Sequence, residues 1–213
     1  MSVKRDSFSV SFTVGLYGSA FGAAGIASHF TVLQTCLLSL LLFSGASQFA
    51  VVGVIGAGGS ALSAIATSSL LGTRNALYGL RLAPLLKLRG LKKLAGAQIT
   101  IDESTGVALS QNNEEDQIKG FWYTGIGVYI FWNIFTLMGA LGAKAMGNPS
   151  AWGLDAAVPA AFLGLLWPRL IDFKTRAIAI AATALSLSLT PFLPAGVPII
   201  SCALLAIFLG WRK

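Results

Sequence analysis

The sequence predicts an all-α integral membrane protein that forms a single polytopic domain over residues 1–213. Hydrophobic residues make up 55% of the chain and charged residues only 11%, whereas soluble domains average about 25% charged residues. Three long stretches carry no Asp, Glu, Lys or Arg, namely 7–73, 120–143 and 177–211. A membrane-spanning helix needs about 20 mainly apolar residues, so these stretches are long enough for several spans in a lipid bilayer.

The apolar sequence divides into about seven runs, each of which we expect to form a transmembrane helix. They cover about 10–28, 31–57, 60–83, 120–146, 153–167, 177–190 and 195–211. A polar connector at about 84–119 separates the third run from the fourth. Its first part, LLKLRGLKKLAG, has leucines and basic residues at helical spacing. That pattern is typical of an amphipathic helix on the cytoplasmic membrane surface, and an ordinary solvated connector is the alternative.

Basic residues follow the ends of the runs and indicate the orientation of the chain. The loop 84–96 holds four basic residues and no acidic one, so the positive-inside rule places it in the cytoplasm. Counting back through three spans puts the chain's start outside, although Lys4 and Arg5 oppose this, and a re-entrant early run would put it inside. The net charge of +7 is not interleaved with aromatics on a polar surface, so we expect no nucleic-acid partner.

A weak internal similarity suggests a repeat. The first run contains FGAAG (21–25) and the fourth contains MGALG (138–142), and a further run follows each after a short break. If three spans form each copy, the second copy is inverted across the membrane. Inverted three-helix repeats are a common construction of secondary transporters.

Small polar residues interrupt the second run in LLLFSGASQFAVVGVIGAGG (40–59): Ser44, Gly45, Ser47 and Gln48. A helix broken at Gly45 frees backbone groups that lipid cannot satisfy, so protein or a water-filled cavity must surround the break. Transporters bind substrates at such breaks near the membrane midplane. The alternative is that the small residues permit close helix packing while Gln48 bonds to a neighbouring helix.

Arg74 lies well inside the third run, where a buried cation is costly and indicates a functional site. It could pair with Asp102, Glu103 or Asp155, or bind a substrate carboxylate through two parallel hydrogen bonds. The alternative is that its side chain extends to the membrane surface.

Other candidates are weaker. Trp132 and Asn133, in the fourth run, could line a cavity or have packing and interfacial roles. Cys36 and Cys202 lie in apolar runs and are expected to be packing residues, not metal ligands. The chain has one His and no HExxH, GxSxG or phosphate-loop motif, so we expect neither an enzyme nor a bound cofactor or metal.

Five segments, in order along the chain, together resemble the AzlC family, the large subunit of branched-chain amino acid exporters. A G-A-x-Q-F element matches GASQF (45–49), and a T-D-E element resembles TIDES (100–104). An N-x-R-H-x-x-Y-G element resembles GTRNALYG (72–79). The remaining two are an aromatic, glycine-rich run, FWNIFTLMGALGA (131–143), and a G-L-D-x-A element, GLDAAVPAAFLGLL (153–166). Here Gly72 replaces the family's Asn, Asn75 replaces its His, and Ile101 is inserted in the T-D-E element.

The resemblance implies a multi-pass protein of the cell membrane that exports branched-chain amino acids. It also implies a small hydrophobic partner subunit of the AzlD type. As our own hypothesis, Arg74 binds the substrate carboxylate and Asp102 or Gln48 its ammonium, beside an apolar wall. The full predicted substrate-binding set is Ser44, Gly45, Ser47, Gln48, Arg74, Asn75, Asp102, Trp132 and Asn133. The alternatives are a non-transporting membrane assembly subunit and a channel or transporter for another small solute.

Overall fold

A computed structural model describes residues 2–147, 151, 153 and 156–211, and this part of the chain is helical without strands. The helices are α1 Val3–Ala27, α2 Val32–Leu41, α3 Gly45–Gly56, α4 Ala61–Leu86, α5 Gly90–Gln98, α6 Asp102–Leu109, α7 Glu114–Ala145, α8 Ala157–Leu166, α9 Phe173–Leu189 and α10 Val197–Trp211. A 3-10 turn, Trp167–Arg169, follows α8. The all-helical prediction is confirmed.

Side-chain caps explain where several helices begin. Thr31 precedes α2 and forms a capping box with Gln34, with bonds of 3.2 and 2.9 Å. Ser60 caps α4 through the amide of Ser63, and Asn113 caps α7. Such oxygens satisfy amides that have no partner in the first helical turn. The acidic residues 114–116 therefore form the first turn of α7.

Helices α1 and α7 pack side by side along most of their length and run in the same direction. Ser11 donates a hydrogen bond to the carbonyl of Thr124, and further along a Cβ on Gly22 would collide with the Thr136 carbonyl. The contacts thus advance together along both helices. Small residues allow this approach, as in other membrane helix pairs. The FGAAG and MGALG segments meet in this parallel pair, so the predicted inversion of the second copy is not confirmed.

The parallel packing sets the two ends of the helix bundle. We call the end where α1 and α7 begin the N end, and the end where α1 finishes the distal end. Lys4 shares a surface hollow with Asp116 and Lys119 at the N end. The chain's start therefore lies at the same end of the bundle as the connector. Three full spans between them would place it at the opposite end, whereas one re-entrant run agrees with the observed position.

The re-entrant run is α2 with α3, which form a hairpin of two half-length helices entering from the distal end. Near the start of α2, Thr35 packs on Gly25 close to the end of α1. The chain then turns at 42–44, where the Phe43 and Tyr129 rings lie 4.9 Å apart. Helix α3 returns to the distal end, since a Cβ on Gly56 would lie 2.6 Å from Ser28 Oγ. The predicted break before Gly45 is confirmed, and run 31–57 turns back instead of crossing the bundle.

Helices α5 and α6 form a second hairpin, which enters from the N end. The turn at 99–101 reaches into the bundle, where a Cβ on Gly125 would lie 2.8 Å from Ile99. Helix α6 then returns to the start of α7, and Gln117 donates to the Gln111 carbonyl at 3.1 Å. Most residues from 99 to 108 are buried. Only the first part of the predicted connector is thus an exposed amphipathic segment.

The two hairpin turns meet inside the bundle. Gln98 Nε2, at the end of α5, donates to the Leu40 carbonyl near the end of α2 at 3.0 Å. Helix α4 runs between the two ends: its Thr67 bonds to the Gly196 carbonyl, and Leu82 is buried beside Phe121 of α7. Helix α4 therefore runs from the distal end to the N end, opposite to α7.

Of the residues that the structure describes, two helices are long and apolar enough to cross a membrane, α1 and α7. The predicted count of seven spans is not reproduced. Helices α2, α3, α8, α9 and α10 have 17 residues or fewer, and α4 carries Arg74 and Arg81. The buried core lies around the first hairpin turn and includes Phe21, Phe43, Phe49, Val128 and Trp132. Helix α8 packs on its outer side, with the Phe162 and Phe49 rings 6.2 Å apart.

Candidate functional site

The break between α2 and α3 is held by the side chain of Gln48. Its Nε2 donates to the Leu42 carbonyl at 2.7 Å and to the Ser39 carbonyl at 3.3 Å. Its Oε1 accepts a hydrogen bond from Trp132 Nε1 at 3.0 Å. The last carbonyls of a helix have no intrahelical partner, and a carboxamide from the next half-helix supplies one here. Gln48 is fully buried and belongs to the support of the site.

A cavity of about 180 Å³ lies where the two hairpin turns meet. Its apolar wall includes Val14, Phe43, Phe49, Ile101 and Val128. Its polar side carries Arg74 of α4 with Asp102 and Glu103 of α6. A mainly apolar hollow with a few convergent polar groups is the usual form of a small-molecule site.

Arg74 and Asp102 form an ion pair in this cavity, with 2.8 Å between Nη1 and Oδ2. Arg169, in the 3-10 turn after α8, approaches the same Oδ2 at 3.4 Å. The Arg74 side chain is 31% exposed and points inward, so the prediction of a carboxylate partner is confirmed with Asp102. Of the two other predicted partners, Glu103 forms no ion pair with Arg74 in the described structure, and Asp155 lies outside the described residues.

The ion pair leaves two buried atoms without protein partners. Arg74 Nε and Asp102 Oδ1 have no hydrogen-bond partner among the described residues. Each unsatisfied polar atom costs about 1–3 kcal/mol, so such atoms usually meet water or a ligand. One is a cationic donor and the other an anionic acceptor, and together they suit a molecule that carries both charges.

Three other predicted residues also line this cavity: Ser44, Gly45 and Trp132. A Cβ on Gly45 would lie 3.3 Å from the Trp132 indole, so a small residue lets the α3 start approach the ring. The extended backbone at Ser44 turns the chain between the two half-helices. Ser44 and Gly45 therefore contribute to the cavity wall mainly through their backbone.

Ser47 and Asn75 lie on the other side of the hairpin turn, where they line a separate hollow of about 340 Å³. Ser47 Oγ donates to the Ser68 carbonyl at 3.0 Å, which joins α3 to α4. Asn75 Oδ1 is buried with no partner in the described structure. Asn133 lies outside the lining of both hollows, and its side chain donates to the Tyr129 carbonyl within α7. The predicted set is therefore divided between two places.

Arg169 was not a predicted site residue. It lies 67 positions after Asp102, and its sequence context, between two apolar runs, indicated only a membrane-flanking charge. Glu103 was considered only as a partner for Arg74, yet it lines the cavity directly. Their positions depend on how hairpin α5–α6 and helix α8 pack in the bundle. A local sequence pattern does not predict that packing.

The sequence model described as AzlC protein matches residues 9–146, a range that covers both hairpins, Arg74, Asp102 and α7. The chain belongs to the AzlC family. The resemblance inferred from the five motifs is therefore confirmed.

A similar protein comes from Archaeoglobus fulgidus, where it is described as "Uncharacterized membrane protein". This AzlC-family chain is 31% identical to it over 205 residues, which cover 95% of the present chain and 87% of the archaeal one. The similarity supports a membrane protein over the whole length, in agreement with the apolar helices. No solved structure matches the chain significantly.

Proposed function

We propose that this AzlC-family protein is a subunit of a secondary transporter that exports branched-chain or other small neutral amino acids across the cell membrane. The observation that carries the proposal is the charged pair that lines the central cavity, Arg74 and Asp102, in which Arg74 Nε and Asp102 Oδ1 are buried without a partner in the described structure. They offer a cation and an anion side by side against an apolar wall.

The chemistry of the cavity suits a free amino acid. A substrate carboxylate would bind the Arg74 guanidinium, whose planar fork of donors matches two carboxylate oxygens. The substrate ammonium would bind Asp102 Oδ1. The side chain would then face Phe43, Phe49 and Val128. At about 30 Å³ per water molecule, a volume of about 180 Å³ is that of about six waters, which suits one small solute.

The two hairpins give this site a place in a transport cycle. Half-length helices that end inside a bundle are where secondary transporters bind substrate, and irregular backbone at membrane depth survives only against protein or a cavity. Here hairpins from opposite ends meet at the site. Movement of one hairpin away from the other would open the cavity towards one face at a time.

Charge gives the orientation that we propose. Lys4, Arg5 and Lys87 lie at the N end, so the positive-inside rule places that end in the cytoplasm. The protein is then a multi-pass protein of the cell membrane. We further propose that a small hydrophobic subunit of the AzlD type completes the exporter in the bilayer. Many apolar side chains on α1, α4 and α7 are exposed, and lipid and this subunit would cover them.

The test is transport of labelled L-leucine in proteoliposomes, with and without the co-expressed small subunit. Arg74→Ala should lower leucine flux per molecule at least tenfold, and Arg74→Lys should recover little because a point charge lacks the guanidinium fork. Arg81→Ala is the matched control. Arg81 is an exposed arginine two helical turns further along α4, so its loss should leave flux within twofold.

The outcomes separate this proposal from its rivals. Equal flux in Arg74→Ala and Arg81→Ala would remove Arg74 from the transport site. If the wild-type protein with its partner transports neither leucine nor any other amino acid, an assembly subunit becomes the better description. Transport of a different small solute would show that the proposed substrate is wrong and that the protein is still a transporter.

A further inference from the structure

The central cavity contains a second carboxyl group that amino-acid binding by Arg74 and Asp102 does not require. Glu103 follows Asp102 on α6 and lines the same cavity. Asp102 already pairs with Arg74 and Arg169. Within the described part of the chain, no basic side chain forms a salt bridge with Glu103, whereas Asp102 pairs with two arginines.

The surroundings of Glu103 favour its neutral form. Much of the cavity wall is apolar, and removal from water penalises a charged carboxyl. The Asp102 carboxylate beside it acts in the same sense, because like charges disfavour each other's ionisation. Arg74 acts in the opposite sense, but it shares Asp102 with Arg169, and the removal of Glu103 from water is the larger effect.

Few other titratable groups reach this cavity from the packed helices. Helix α1 contributes Tyr17, helix α4 contributes Arg74, and the turn after α8 brings Arg169 to Asp102. Helices α3 and α7 contribute Phe49, Val128 and Trp132, which do not titrate. Glu103 is therefore the group in the cavity best suited to hold a proton reversibly.

We propose that Glu103 is the proton-coupling site, and that the protein exchanges one proton for one amino acid. This rests on the proposed function, since it requires a substrate with an ammonium group in the cavity. When the ammonium binds beside Asp102, its positive charge favours the Glu103 carboxylate. The O–H bond of Glu103 breaks, and the proton passes to the water that the open cavity faces.

The reverse step completes the exchange. On the other side of the membrane a proton from water binds the Glu103 carboxylate, the negative charge disappears, and the ammonium loses part of its attraction. The amino acid then leaves. Protonation of Glu103 and binding of the ammonium beside it weaken each other, so an inward proton gradient drives outward movement of the amino acid. No oxidation or further reactant is involved.

The experiment is calorimetric binding of L-leucine to the purified full-length protein with its small subunit in lipid nanodiscs. Titrations in two buffers with different ionisation enthalpies give the number of protons released per leucine. The wild type should release about one proton, and its affinity should rise by up to tenfold per pH unit while Glu103 is still protonated. Glu103→Gln should release none and bind weakly at every pH. Glu103→Asp should regain the release.

Glu115→Gln is the matched control, because Glu115 is an exposed glutamate in the first turn of α7 and should behave as the wild type. The proposal is overturned if the wild type binds leucine with no proton release, a result that does not depend on how any variant folds. It is also overturned if Glu103→Gln releases as many protons as the wild type. If the wild type binds no leucine at any pH, the proposed substrate fails, and this inference with it.

Discussion

Trp132 Nε1 of α7 donates a hydrogen bond of 3.0 Å to Gln48 Oε1 of α3. The amide of the same Gln48 donates to the carbonyls of Leu42 and Ser39 at the end of α2. One carboxamide therefore joins both halves of the first hairpin to the long helix beside them. This explains a polar residue in an apolar run: it replaces backbone hydrogen bonds lost where the helix breaks.

We expect Gln48→Leu to lower the stability of the protein. The substitution leaves Trp132 Nε1 without an acceptor and Ser39 O without the Gln48 donor, whereas Leu42 O still accepts from the Ser44 amide. Each buried group that loses its partner costs about 1–3 kcal/mol. Thermal unfolding of the purified protein, followed by tryptophan fluorescence or by loss of monodisperse protein on heating, measures the change. Transport per folded molecule should fall less than the yield does.

Trp132→Phe provides the partner variant, because it keeps an aromatic ring and removes only the donor. The Gln48→Leu and Trp132→Phe double mutant should be less destabilised than the sum of the single mutants, as for residues in one hydrogen-bond network. Strict additivity would mean that the bond contributes nothing. A Gln48→Leu protein with wild-type stability and lost transport would place Gln48 in contact with the solute.

The sequence was sufficient for the break in the first hairpin because the break has a local cause. Ser44 and Gly45 suit a helix start, and only protein can satisfy freed backbone groups in lipid. The same holds for Arg74, since a cation in an apolar run needs an anionic partner. These features follow from the free-energy cost of burying polar groups. That cost is a property of the residue itself, so it can be judged from the sequence.

The direction of the first hairpin could not be predicted in this way. Two half-length helices and one full-length helix have the same composition, and the run 31–57 is long enough to cross a membrane. The return of α3 to the distal end depends on packing of Gly56 against Ser28 and of Phe49 against Phe21. Arg169 reaches Asp102 for a similar reason, through α8 packing on α1 and α3.

The close contact of α1 with α7 predicts opposite effects for two neighbouring glycines. A Cβ on Gly139 would collide with the backbone of Ser19, whereas a Cβ on Gly142 would meet nothing within 4 Å. Gly139→Ala should destabilise the protein by about 1–3 kcal/mol, because two backbones must separate. Gly142→Ala should stabilise it by up to about 1 kcal/mol through helix propensity.

The measurement is the midpoint of thermal unfolding for both alanine variants in the same detergent. Both substitutions add one methyl group to the same helix within one turn, so lipid or detergent effects are matched. A Gly139→Ala midpoint at or above that of the wild type would contradict the backbone contact between Ser19 and Gly139.

The orientation of the first hairpin can be tested by cysteine labelling. In a background with Cys36 and Cys202 replaced by alanine, single cysteines are introduced at Ser2, His29 and Asn113. Because α1 and α7 run parallel, Ser2 and Asn113 lie at the N end and His29 lies at the distal end. A membrane-impermeant maleimide should therefore label Ser2→Cys and Asn113→Cys only from the cytoplasmic side, and His29→Cys only from outside.

A run 31–57 that crosses the membrane predicts the reverse for Ser2 and His29, since one more crossing would separate them from Asn113. Asn113→Cys is the reference in both arrangements, and permeabilised cells give the full labelling of each variant. Labelling of Ser2→Cys from outside, with Asn113→Cys protected, would show that α2 and α3 do not form a re-entrant hairpin in the membrane.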